Sequence, residues 1–97
     1  MQSMPTRHAQ PYRHKVRPIE IEAALLTEDN ASEVSNWAGG AQVVEESNAL
    51  THAKQEGLNV MTPSGKKRAS VGMYVIKFED NFYVSQPGAF AASYLPL

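Results

Sequence analysis

The stretch ASVGMYVIKFEDNFYVSQPGAFAASYLPL, residues 69–97, decides the fold. Within it, MYVIKF (73–78) and FYVSQ (82–86) are rich in β-branched and aromatic residues and read as two strands. Glu79-Asp80-Asn81 joins them, and Asp and Asn tolerate the positive φ that tight hairpin turns require. Period-two alternation puts Tyr74, Ile76 and Phe78 on one face and Met73, Val75 and Lys77 on the other. In the partner run Phe82 and Val84 oppose Tyr83 and Ser85. Pro87-Gly88 breaks the strand, and residues 89–94 read as a short helical turn or a final extension.

Outward from this hairpin, Ile19, Ile21, Ala23 and Leu25 alternate with Glu20, Glu22 and Ala24, the pattern of a half-buried strand with its acids in water. Asn30, with Glu33 three residues on, has capping-box spacing. Val34, Trp37 and Ala38 then share one helical face, and Gly39-Gly40 ends the helix, with Gly39 suited to a left-handed cap. Residues 41–45 (AQVVE) read as a short strand and residues 46–56 as a polar loop. Leu58, Val60 and Thr62 begin a further hairpin at Gly57, turned by Pro63-Ser64-Gly65 and returning through Lys66 to Ser70. The expectation is an α+β domain over residues 15–97: a mostly antiparallel sheet of about five to six strands with one short helix packed on it.

Ninety-seven residues leave room for one core. The chain has no cysteine, which excludes disulfides, thiolate metal centres and thiol nucleophiles. No apolar run approaches the ~18 residues of a membrane span, and the N-terminal residues lack the apolar centre of a secretory signal. The net charge of −1 hides an asymmetry. Residues 1–18 carry Arg7, Arg13, Lys15 and Arg17 and no acid, whereas residues 19–97 hold all 10 of the Asp and Glu and only 5 of the 9 Lys and Arg. With Pro5, Pro11 and no hydrophobic period, residues 1–14 read as an extended basic arm, flexible unless a partner or neighbouring subunit holds it.

The chain resembles small accessory proteins of tailed bacteriophages and prophages that end in a PGDY-type motif, a family of unknown molecular function. The resemblance runs from Lys15, Arg17, Pro18, Ile19, Ile21, Glu22 and Ala23 through Thr27, Asn30, Trp37 and Gly39-Gly40. It resumes at Ala69-Ser70, Gly72, Tyr74, Val75, Ile76 and Lys77, and at Phe82, Tyr83, Pro87, Phe90 and Tyr94. Val71 and Met73 stand where the motif has proline and aspartate, and Asp80-Asn81 replaces a Gly-Glu turn. The resemblance implies a phage protein acting in the cytoplasm of the infected host and supplies no catalytic residue.

No residue set points to chemistry. His8, His14 and His52 lack metal-ligand spacing, so neither metal nor cofactor is expected. Glu20 and Glu22 read as a solvated strand face rather than a catalytic pair. Ser64-Gly65-Lys66-Lys67 lacks the phosphate-loop pattern. Phe78, Phe82 and Phe90 are expected in the core, with Tyr83 and Tyr94 showing their hydroxyls to water or a partner. The partner-binding candidates are Arg7, Arg13, Lys15 and Arg17 of the arm, the run Lys66, Lys67 and Arg68, and Tyr83 and Tyr94. The expected function is a non-enzymatic interaction protein that binds a host protein or a small signalling molecule, counter-defence being one such role. Self-association would offer ligand sites at subunit interfaces. The alternative is a virion component, capsid-decorating or connector, whose arm extends onto a neighbour. A nucleic-acid-binding module ranks third, because the acidic body repels phosphates, and an enzyme ranks last.

Overall fold

The computed structural model describes Thr6, residues 8–47 and residues 50–97. In chain order the elements are β1 (Ala9–His14), β2 (Glu20–Leu25), α1 (Ala31–Trp37), β3 (Gln42–Ser47), β4 (Lys54–Thr62), β5 (Gly65–Ala69), β6 (Tyr74–Phe78), β7 (Asn81–Ser85), α2 (Pro87–Ser93) and β8 (Tyr94–Pro96). The class is α+β with antiparallel pairing throughout, but the strands divide into two sheets. A five-stranded sheet has the order β7-β6-β2-β1-β8, and a three-stranded sheet has the order β3-β4-β5. The single sheet with one helix expected from the sequence is therefore two sheets with two short helices.

The C-terminal hairpin forms as its alternation dictates. Val75 faces Val84 across the β6–β7 ladder, and Ile76 faces Tyr83. The turn residues are Glu79 and Asp80, and the positive φ falls on Glu79 (57°), with Asn81 already the first residue of β7. The β-rich runs on either side set the register, and Glu79 takes the left-handed conformation that it imposes.

Strand β2 is central, so both of its faces are covered. Ile21 and Ala23 lie in one cluster, as their period predicts, but Ala24 and Leu26 are fully buried in the other. The exposed member of the expected apolar series is Leu25. The cluster of Ala24 and Leu26 joins them, with Val75 and Phe82, to Val34 and Trp37 of α1 and to Leu58, Val60 and Ala69 of the smaller sheet. Trp37 and Phe82 meet edge to face at 5.4 Å. On the opposite face Phe90 of α2 caps Ile21, Ala23 and Ile76, stacked on Tyr74 at 3.9 Å and meeting Tyr12 edge-on at 4.8 Å. Phe82 and Phe90 are core residues as expected, and Phe78 is half-buried.

Residues 9–14 of the expected arm are β1, paired to β2 on one side and to β8 on the other. Proline is tolerated there for a local reason. His14 N–H bonds to Ile19 O, which sets the alternation so that odd-numbered residues of β1 turn their backbone groups away from β2. Pro11 therefore directs its missing N–H away from β2, at the end of the β8 ladder, where only its C=O is used, accepting from Leu97 N–H at 3.2 Å. Ala9 and Tyr12 supply the only apolar anchors of β1, one on each face, which is why no period was visible. Residues 1–5 and Arg7 lie outside the described residues.

Helix α1 ends as its Gly pair requires, with Gly39 and Gly40 at φ 77° and 81°. Its start differs from the capping box. Asn30 is buried, and its side chain makes no cap bond to the helix. It accepts from Thr27 N–H at 2.8 Å and donates to Leu25 O at 2.9 Å, closing the loop that leaves β2. Glu33 instead faces His8, 3.0 Å from its Nε2, and so ties the start of β1 to α1. The segment expected as a loop over residues 46–56 is shorter: β3 runs on to Ser47 and β4 begins at Lys54.

Burial, followed by charge repulsion from and hydrogen bonding with Tyr74, pushes the Tyr12 phenol above its usual range. A tyrosine raised in the folded state contributes stability that is complete below its unfolded pKa of about 10. That contribution is lost as pH rises through the folded value. Urea midpoints measured from about pH 8 to about pH 11 are expected to hold and then fall, and Tyr12→Phe is expected to flatten the fall.

Candidate functional site

The basic candidates sort into two places. Arg13, Lys15 and Arg17 belong to the β1–β2 hairpin and its tip, where Val16 is 87% exposed. The tip is held by His14, whose Nδ1 accepts from both Val16 N–H and Arg17 N–H at 3.1 Å, and by Lys15 N–H bonding to Ser93 O at 2.8 Å. Tyr94 lies beside it, 5.3 Å from the His14 ring and 5.1 Å from Phe90. Arg13 is opposite Glu20 across the ladder, and Glu22 is opposite Lys77. The two glutamates thus sit in opposite-charge cross-strand pairs, which is the solvated strand face expected of them.

Lys67, Arg68 and Tyr83 come together in the second place. They line an open groove of about 610 Å³ between the β4–β5 hairpin and the outer edge of β7, with Thr62, Pro63, Ser64, Met73, Val84 and Gln86. Lys66, next along β5, is exposed and lies outside that lining. The lining holds two cations and no carboxylate, a floor of Met73 and Val84, and the polar side chains of Ser64 and Gln86. Lys67 makes no ion pair or side-chain hydrogen bond among the described residues.

Arg68 is held in place. Its Nε donates to Asn59 Oδ1 at 2.7 Å and its Nη1 to Glu46 Oε2 at 3.1 Å. Glu46 Oε2 also accepts from Ser70 Oγ at 3.1 Å, and Asn59 Nδ2 donates to Gln42 Oε1 at 3.0 Å. This chain of contacts crosses all three strands of the smaller sheet. The Glu46 side chain is only 17% exposed, and its Oε1 is buried without a hydrogen-bond partner. It fits there because Gly57 has no side chain: a Cβ at that position would collide with the Glu46 carboxylate and come within 2.9 Å of Ala69 O. The ion pair itself contributes little to stability at so exposed an arginine, since such pairs are worth about 0–1 kcal/mol. Its consequence is geometric, because it fixes the direction of the guanidinium.

The sequence singled out Lys67, Arg68 and Tyr83 but not Met73, Val84 or Gln86, which become neighbours only once β7 packs against the smaller sheet. Glu46 and Gly57 fell in or beside the expected loop, so the register that places them beside Arg68 was not visible. Among the described residues no group of three or more His, Asp or Glu is placed to hold a metal ion, and no helix is long and apolar enough to cross a membrane. Comparison with protein-family models, with curated proteins and with solved structures found no match.

Gly57→Ala is expected to lower unfolding free energy by about 1–3 kcal/mol, the usual cost of overpacking. Urea denaturation would measure this. Adding Glu46→Ala to the same chain removes the side-chain collision and leaves the clash with Ala69 O, so the double variant stays destabilised.

Proposed function

We propose that this protein is a non-enzymatic, phage-encoded interaction protein that binds an anionic partner in the Lys67–Arg68–Tyr83 groove. The observation that carries the reading is Lys67, which no acid among the described residues engages, on the wall of a groove whose lining contains no carboxylate. An ammonium without an internal partner favours an anion because no existing ion pair has to be broken to receive it. Met73, Val84 and Tyr83 add an apolar and aromatic floor. The resemblance of residues 15–97 to phage accessory proteins supports a setting in the cytoplasm of an infected host, where a host protein or a small signalling molecule is the partner.

The virion reading drew on a basic arm free to reach a neighbour. Ala9–His14 are paired within their own sheet, so that part of its support is gone. A nucleic-acid reading is weakened further by Glu20 opposite Arg13 and Glu46 on Arg68, which reduce the positive charge available to phosphates.

Amide chemical shifts of the isotopically labelled protein, followed at low salt with inorganic pyrophosphate and with a short glutamate-rich peptide, test the reading. Perturbations are expected at Lys67, Arg68, Tyr83 and Gln86, and Lys67→Glu is expected to weaken binding by about tenfold or more. Shifts confined to Lys15 and Arg17, or none with either probe, overturn it.

A further inference from the structure

We infer that the anionic partner of this groove is an extended acidic peptide segment, added as a further strand on the free edge of β7. The inference rests on the groove reading above and specifies its ligand. Strand β7 is the outer strand of the larger sheet, and the β6 ladder occupies only one of its sides. Phe78 and Asn81 close the turn, and hydrogen-bonded pairs alternate from there through Ile76–Tyr83 to Tyr74–Ser85. Val84 therefore turns its N–H and C=O outward. Gln86, extended at φ −66° and ψ 148°, continues the alternation with its N–H. Among the described residues, neither Val84 nor the Gln86 N–H makes a hydrogen bond outside that ladder.

Both residues line the groove, and Lys67 and Arg68 form its opposite wall. A small anion would meet the cations and leave the strand edge unused. An extended chain uses both: its main chain pairs with Val84 and Gln86, and every second side chain points across the groove. Acidic residues at those alternate positions meet Lys67, whereas the Arg68 guanidinium is turned to the other face of β5 and held by Asn59 and Glu46, so the charge of the wall selects the sequence and the edge selects the conformation. An open edge of this kind is a standing template for strand addition unless it is blunted or covered. At Val84 and Gln86 no proline intervenes, and the groove separates this end of the edge from β4 and β5, which pack against β7.

The test uses the intact protein, a capped Glu-Val-Glu-Val-Glu-Val peptide, its two forms N-methylated at alternate residues, and pyrophosphate. The expected result is that the parent peptide slows hydrogen exchange of the Val84 and Gln86 amides at least tenfold. One N-methylated form is expected to bind at least tenfold more weakly, while the other binds like the parent. Peptide binding that shifts Lys67 and Arg68 but leaves those two amides unprotected, with both methylated forms equivalent, overturns strand addition and leaves the anion-binding groove standing. Failure of peptide and pyrophosphate alike overturns both.

Discussion

The antiparallel pairing of Glu20–Leu25 with Tyr74–Phe78 puts a twofold demand on the chain: both faces of the resulting sheet must be covered. Ala24 beside Val75 presents one apolar face, and Ala23 beside Ile76 presents the other. Each face finds a different cover. Trp37 of α1 and the strands β4 and β5 close the first, and Phe90, from a helix of seven residues, closes the second. A domain of this size has little apolar material to spare, so aromatic rings carry the second face. The stacked Tyr74–Phe90 pair and the Tyr12 edge contact concentrate that cover in one small cluster.

The same demand explains where the charges end up. Covering the first face over Ala24 and Val75 leaves the far end of the larger sheet open, and there Arg13, Glu20, Glu22 and Lys77 sit opposite one another in matched pairs. The basic N-terminal segment and the acidic body are thus partly reconciled within one chain, by strand pairing. Lys67 stands apart from this matching: it projects from the face of β5 opposite to Arg68, and Glu46 is engaged by Arg68 and Ser70.

The C-terminal hairpin was legible because its alternation is strong and its turn is short; both faces of β6 and β7 were read correctly from periodicity. Gly39-Gly40 was legible because two consecutive positive φ values call for glycine. Strand β1 was not legible, since Pro11 and the polar residues around it carry no period, and pairing on both sides supplies the order that propensity does not. Asn30 was recognised as special but for the wrong bonds: burial made it serve Leu25 and Thr27 in place of the helix N-terminus. The candidate site was half legible. Cations and a tyrosine can be picked from composition, whereas their grouping depends on how two sheets meet, which is a tertiary fact.

That meeting is also what creates the groove. The smaller sheet has three strands against the larger sheet's five, and its β4 and β5 pack against β7, leaving an open groove beside Tyr83, Val84 and Gln86. Had the two sheets joined into one, as the sequence led one to expect, β5 and β7 would have satisfied each other's edges and Lys67 would stand on an ordinary solvated surface. Because they remain separate, the β7 edge and Lys67 of β5 face a common space lined also by the apolar Met73 and Val84. The division into two sheets, which no local signal announced, is therefore the step that turns a run of basic residues into a surface with a shape, a charge and a direction of approach.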